Sequence, residues 1–508
     1  MSSTLSSSHF LQEMAYPPYC IQPLKSWGMI AIGGGGGTAK TGVGNAVDLK
    51  WIYLNQSSDP TNNKCSIQNV NSFTQHDSVM RMVSLRKQQQ EFLILALNRQ
   101  LKVIMLKASQ RELDGGLGFN ISPPPTGNSQ DSANNVPIVP AQRSVRRRHN
   151  SSTSTATEPV NVQHRPSIIL HRNGQATVEA IGNEILNAQS PTNRTGSFSF
   201  PPVMTSSTTT TTTTASILNN IYTVPIKDEE YVNALAICPA TQSKLFVGAS
   251  DGSLTIYDII WPASTAADRL IQLNLVTSFT AHSKEIDDLA VDPLGTWLIS
   301  VSRDHHVQIR QCSPPFDKHG ELDLNQFGTN KNSKPSYRIR HVRFGIVPRK
   351  SSSNATSFLY TSLIPQIIND KLTSYIVQWT ENKQHQFVVR QRRAVMLNDR
   401  ISAIAVSNCG QYVSVGDSGG CVRIYDSERL KLIYEHRAHS IFVTDLTFIL
   451  REENYLYATS VLSISADKNL YVHNVHPPQT NLFSVSFLIV IGLLFLFLLL
   501  SQIRFRFH

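Results

Sequence analysis

At 508 residues the chain is longer than one ordinary domain, although repeats of that total length can close into a single unit. Its 46 Lys and Arg against 36 Asp and Glu leave a formal charge of +10, which would suit an anionic partner if it were concentrated on one face. The one dense run, Arg146 to Arg148 with Arg143, lies in a polar segment without Tyr or Trp, and no helix-turn-helix, zinc finger or basic aromatic stripe is visible, so no nucleic-acid partner is expected.

Six scattered cysteines, none in a C-x-x-C pair, argue against a zinc cluster and fit reduced thiols in a cytosolic domain. Residues 1–15 read as a flexible N-terminus, and MSSTLSSSHFLQEM has neither the basic nor the apolar region of a cleavable secretory signal. Residues 16–108 read as the first blades of a β-propeller, interrupted by a glycine-rich loop at 33–45, GGGGGTAKTGVGN. Glycines admit backbone conformations and close approaches that bulkier residues resist, so this loop is suited to bring its backbone near a ligand or partner. Gly34, Lys40 and Thr41 fall at the places of a phosphate-binding G-x-x-x-x-G-K-[ST] motif. Ala39 stands where its second glycine belongs, however, and the strand-forming VDLKWIYL follows where that motif needs a helix, which argues against an NTPase.

Residues 109–216 break the strand pattern with a PPP run, the arginine cluster and the seven threonines Thr208 to Thr214. Such a segment buries too little apolar surface to offset its ordering entropy and is predicted to be a disordered low-complexity insert. Residues 217–476 hold the remaining blades. Three stretches, 232–258, 279–310 and 401–426, share one layout of strand, turn, strand, hairpin and a third strand, at a period of roughly 40 residues. Weaker copies at 66–107, 335–380 and 431–475, with 16–54 as a further blade, bring the number to about seven and require a closure between the first and last strands. Residues 313–334 and 349–356 read as surface loops. From Leu482 to Leu500 the sequence runs 19 residues without a charge, which as a helix spans about 28 Å against a hydrocarbon core of about 30 Å. A tail, residues 501–508, follows. Arg504 and Arg506 beyond the span favour the opposite orientation by the positive-inside rule, but so short a tail implies insertion after synthesis, and moving two arginines across a membrane is easier than moving the propeller, so the propeller is expected in the cytosol and residues 501–508 in the lumen. The fold expected is thus all-β, a seven-bladed propeller with a disordered insert and one C-terminal transmembrane helix.

Tyr257-Asp258 and Tyr425-Asp426, with Ala281-His282 and Ala438-His439, resemble the Trp-Asp endings and Gly-His starts of WD repeats. That resemblance implies structural hydrogen-bond networks through His282 and Asp304 and through His439 and Asp467. YPPYCIQPLKSWGMIAIGGGGGTAKTGVGN, a degenerate propeller and a C-terminal membrane segment together resemble the membrane-bound guanine-nucleotide exchange factors that initiate COPII coat assembly, the prolactin regulatory element-binding protein family. The most specific match is the loop motif GGGG-x-x-K-x-G-x-x-N, met by Gly34 to Gly37, Lys40, Gly42 and Asn45. The resemblance implies a potassium ion held by the carbonyls of Gly34, Gly35, Gly36 and Gly37 and by the Asn45 side chain. It also implies that Lys40, Thr41, Gly42, Val43 and Asn45 contact a Sar-type small GTPase, with Val43 pressing from the tip. An endoplasmic reticulum location, other coat or exit-site proteins as partners, and exchange without bond chemistry follow from the same resemblance. Without the loop, the propeller and span alone would suggest a membrane-tethered scaffold.

Overall fold

Short apolar runs bounded by turn residues cannot build helices of useful length, but they suit strands whose two faces are both covered. The computed structural model describes residues 7–24, 29–37, 42–55, 64–87, 90–106, 219–262, 270–324, 327, 337–347, 356–366, 373–397, 399–449 and 459–475. The insert 109–216 and the apolar run 482–500 lie outside the described residues, and among those described no helix is long and apolar enough to cross a membrane.

The strands form seven four-stranded antiparallel sheets, the blades of a propeller. Strand β1 (Ser7–Glu13) opens the chain. Blade 1 is β2 (Pro18–Pro23), β3 (Met29–Gly34), β4 (Asn45–Asn55) and β5 (Lys64–Gln75); blade 2 is β6 (Val79–Lys87), β7 (Gln90–Leu97), β8 (Gln100–Leu106) and β9 (Asn219–Thr223). Blade 3 is β10 (Val232–Ile237), β11 (Lys244–Ala249), β12 (Ser253–Ile260) and β13 (Gln272–Thr280); blade 4 is β14 (Ile286–Val291), β15 (Trp297–Ser302), β16 (Val307–Gln311) and β17 (Lys318–Glu321). Blade 5 is β18 (Tyr337–Val347), β19 (Thr356–Pro365), β20 (Thr373–Glu381) and β21 (Phe387–Leu397); blade 6 is β22 (Ile401–Val406), β23 (Tyr412–Asp417), β24 (Cys421–Asp426) and β25 (Leu432–Arg437). Blade 7 is β26 (Val443–Phe448), β27 (Thr459–Ser465) and β28 (Asn469–Val475), completed by β1 as its outermost strand.

That last pairing closes the ring, with Ser8 opposite His473 and Phe10 opposite Tyr471, whose rings meet edge-on at 5.6 Å. It corrects the expectation of a flexible N-terminus over 1–15: residues 7–13 are a strand because the free edge of β28 supplies backbone partners that an isolated polar segment lacks. The blade boundaries also differ from the repeats read in sequence. The first blade runs on to Gln75, since β4 and β5 pair over their whole length, and the outer strand of blade 2 comes from beyond the insert, so residues 109–216 fall in one hairpin connection between β8 and β9. Residues 318–321, expected in a surface loop, form β17 against β16.

Seven apolar clusters, one at each junction between neighbouring blades, hold the described residues together. At the axis, every inner strand carries a register irregularity at the same place, next to Tyr19, Met80, Asn233, Asp287, Arg340, Ser402 and Thr444. Such bulges add local twist and re-aim the extra residue. Asn233, Ser402 and Thr444 use it to donate to the inner strand of the next blade, at Ile286 O (3.0 Å), Val443 O (2.7 Å) and Pro18 O (2.7 Å). Lys50 on β4, 1% exposed, ties blade 1 to the closing strand through Gln12 Oε1 at 3.1 Å, with Asp48 Oδ2 at 3.3 Å balancing its charge.

Two predictions follow from the closure. Deleting residues 1–13 uncovers the β28 edge and removes the Lys50 acceptor Gln12, so the truncated chain should unfold at lower temperature and self-associate, as read by calorimetry and light scattering. His473 is fully buried, its Nδ1 2.9 Å from Tyr434 Oη and its Nε2 2.8 Å from Ser463 Oγ, and burial, with His439 and His436 nearby, pushes it down to about 3. The unfolded chain therefore takes up this proton first. The stability held by neutral His473 is whole above its ordinary pKa and is lost as the pH falls from there toward 3, at about 1.4 kcal/mol per unit. Thermal unfolding from pH 7 to 5 should show this fall, and His473→Gln should flatten it.

Candidate functional site

β3, MIAIGG, is apolar and buried along its whole length, and two glycines at its end let it leave the sheet where other backbone crowds in. A Cβ on Gly34 would stand 2.1 Å from Pro17 O, and one on Gly35, whose φ is +139°, would stand 2.1 Å from Asn45 Oδ1. The Gly35 N–H donates to Pro17 O at 3.1 Å, fastening the loop to the lead-in of the inner strand. Asn45, the first residue of β4, closes it from the other side: Gly37 N–H donates to Asn45 Oδ1 at 2.9 Å and Asn45 Nδ2 donates to Gly37 O at 3.0 Å. The asparagine amide thus pairs with both the N–H and the C=O of Gly37, as a residue of a neighbouring strand would, and fixes the base of the loop without a bulky contact.

Because Pro18 pairs with Gly34, the loop leaves the propeller at the end where the inner strands begin. Lys40 and Thr41 lie outside the described residues. Gly42 and Gly44 are exposed, whereas Val43, expected at the tip, is half-buried and packs on the apolar cluster between blades 7 and 1. The Asn45 clasp draws the descending limb back toward β4 and sets Val43 against the blade.

One residue was missed in sequence. Asp77, between β5 and β6, is 7% exposed; its Oδ1 accepts from Ser78 N–H at 2.7 Å and lies 3.9 Å from the point a Gly37 Cβ would occupy. Nothing local marks it, since its place beside the loop comes from blade packing. The oxygens placed here, Gly37 O, the Asn45 amide and the nearby Asp77 carboxylate, are hard donors of the kind an alkali cation takes. Asn45 Oδ1 and Gly37 O each keep a second lone pair beside the clasp bond, so the donor set fits such an ion. Among the described residues no three His, Cys, Asp or Glu side chains converge as a metal-binding group.

The paired His and Asp of the repeats lie apart from the loop, in blades 4 and 7. His282 Nδ1 is 3.0 Å from Asp304 Oδ2 and its Nε2 2.8 Å from Ser300 Oγ; His439 Nδ1 is 3.2 Å from Asp467 Oδ1 and its Nε2 2.8 Å from Ser463 Oγ. Burial lowers His282 against the opposing pull of Asp304, which keeps the ring neutral. Burial alone would raise Asp467, but the bonds from His439 and from the N–H groups of Ser440 and Asn469 hold it at about 2. In both networks each ring nitrogen is engaged, so neither imidazole is placed to take a substrate proton.

The clasp makes a local prediction. Asn45→Ala removes both bonds to Gly37 and leaves the apolar clusters intact, so the Gly37 amide should lose hydrogen-exchange protection while the global unfolding free energy changes by about 1–2 kcal/mol or less.

The WD domain, G-beta repeat family matches residues 273–310, which are β13 through β16. Over 268 residues, 51% of this chain, the sequence is 27% identical to the guanine nucleotide-exchange factor SEC12 of Rattus norvegicus and 26% identical to that of Mus musculus. The matched part covers 59% of those relatives. Among solved structures, Sqt1 from Chaetomium thermophilum superposes over 92% of this chain and 85% of its own, at 12% identity and a TM-score of 0.46, a likeness too slight to carry an argument. The chain is thus a seven-bladed propeller with one stretch matching the WD repeat, and about half of it is similar to the SEC12 guanine nucleotide-exchange factors.

Proposed function

We propose that the chain speeds GDP release from a Sar-type small GTPase at the endoplasmic reticulum membrane, the step that starts COPII coat assembly. The observation that carries this reading is the clasped glycine loop, on the first blade of a propeller related to SEC12, with its base fixed by Asn45 and its outer part exposed at Gly42 and Gly44. The loop reaches the GTPase through Lys40, Thr41, Gly42 and Val43, with Val43 contributing the apolar edge it shows beside blade 1. Exchange needs no acid, base or nucleophile. A loop that binds the nucleotide-free GTPase more tightly than its GDP form shifts the GTPase toward release by that difference in affinity, and by no more.

The carbonyls of Gly34 to Gly37 and Asn45 Oδ1 would hold a potassium ion, which would supply a fixed positive charge at the base of the loop. Asn45 keeps its Nδ2 on Gly37 O and so orients its oxygen toward the same space. Residues 482–500 are the membrane span that holds the propeller on the cytosolic side. Under that topology none of the sequons at Asn55, Asn120, Asn150, Asn193 and Asn354 carries glycan, which endoglycosidase treatment of the cellular protein checks directly.

Purified chain added to a GDP-loaded Sar-type GTPase with excess GTP should raise nucleotide release many-fold, while Asn45→Ala should lose most of that gain without unfolding. Replacing K⁺ by Na⁺ at constant ionic strength should slow exchange. If the GTPase binds yet its release rate does not change, the chain is a membrane-tethered scaffold and the exchange reading is wrong.

A further inference from the structure

Of the seven bulge residues around the axis, four bond to the following blade, and of the other three, Tyr19, Met80 and Arg340, only Arg340 carries a charge. Asn233, Ser402 and Thr444 each bond to the inner strand of the following blade, and Asp287 accepts from Arg338 of the following blade. Arg340, the bulge residue of blade 5, makes no such bond: among the described residues its guanidinium has no hydrogen-bond acceptor and no ion-pair partner, although it is half-buried. Its neighbours do not neutralise it. At this level of the channel five arginines (Arg81, Arg303, Arg338, Arg340 and Arg343) face four carboxylates, those of Glu285, Asp287, Asp288 and Asp445. Arg303 sits 2.7 Å from Glu285 and 3.2 Å from Asp287, Arg338 shares Asp287, and Arg343 is 2.5 Å from Asp288. Asp445 spends one oxygen on Ile21 N–H and the other on Leu446 N–H. Burial, partly offset by Asp287 and compounded by Arg338, Arg81 and Arg303, pushes Arg340 down to about 10. Arg81 commits only its Nε, to Asn233 O at 3.2 Å, among the described residues.

An uncompensated guanidinium in a confined channel calls for a counter-ion, and its planar fork matches two oxygens of one oxyanion. We propose that the channel binds one small oxyanion of the phosphate class, held by Arg340 and by the free end of Arg81, near the end from which the glycine loop projects. Arg81 also lines a cavity of about 520 Å³, together with Asp288, Arg343 and Asp445. The site is independent of the exchange reading, because its ligand is a free anion in solution and its binding needs no GTPase.

Inorganic phosphate titrated into the full chain in detergent, against chloride at matched ionic strength, tests the site by calorimetry and by thermal unfolding. The expected result is saturable binding of one phosphate per chain with a rising Tm, weakened about tenfold or more in Arg340→Gln, as loss of a charged hydrogen-bond pair implies. Arg340→Gln in chloride alone should unfold no earlier than the parent, since it removes a repulsive charge. Should that variant fail to fold, Arg340→Lys replaces it: it keeps the charge and loses the fork, and its phosphate affinity should fall. No phosphate binding above the chloride control, or equal affinity in the parent and the folded variant, overturns the proposal.

Discussion

A single four-stranded blade has two apolar faces and nothing of its own to cover them, so the fold exists only as a closed ring in which every junction is buried. The ring is closed by β1 against β28, where the first described strand of the chain completes the blade formed by the last three. Each of the seven junctions carries its own apolar cluster, which spreads the stabilisation around the circle and leaves the axis free for polar contacts. The glycine loop depends on this closure. It rises from blade 1, whose outer face rests on blade 7 through Ile21, Ile30 and Ile32 against Leu462 and Leu470, and the same junction holds Val43. Opening the β1 edge would loosen the platform under the loop before it touched the loop itself.

Within that frame the loop combines rigidity at its base with exposure beyond it. Pro17, Gly35, Gly37 and Asn45 fix the points where it leaves and re-enters the sheet, and only glycine fits where Gly34 and Gly35 pass their neighbours. Fixing the ends of a binding loop lowers the conformational entropy lost when a partner orders it. The buried His networks of blades 4 and 7 serve the opposite purpose: Ser300 and Ser463 occupy the ring nitrogens that chemistry would need, and the histidines lock inner-strand entry to the hairpin turns.

Much of this was legible in the sequence because its signals are local. Asp251-Gly252 makes the turn between β11 and β12, with Gly252 at φ +81° and Asp251 Oδ1 accepting from Ser253 N–H at 2.9 Å. Strand alternation gave the number of blades, and the glycine run marked the loop. What stayed hidden is carried by contacts between distant parts of the chain. Nothing in SSHFLQE announces that its partner lies at residues 469–475, and a polar start reads as a loose end. The division of blade 2 by the insert could not be read, because β9, NNIYT, is too short and too polar to stand out before it pairs with β8. Asp77 and the resting place of Val43 likewise follow from packing between blades, which composition does not encode.

Differential binding is what the proposed exchange activity requires, and it is measured most directly by comparing the affinity of the chain for a nucleotide-free Sar-type GTPase, the proposed partner, with its affinity for the GDP-bound form, while hydrogen exchange is followed across residues 33–45. Exchange activity of this kind predicts at least about a hundredfold tighter binding of the nucleotide-free form, equivalent to about 2.7 kcal/mol, with new protection confined to the loop and its flanks. Equal affinity for the two forms, or protection that leaves the loop untouched, would contradict it.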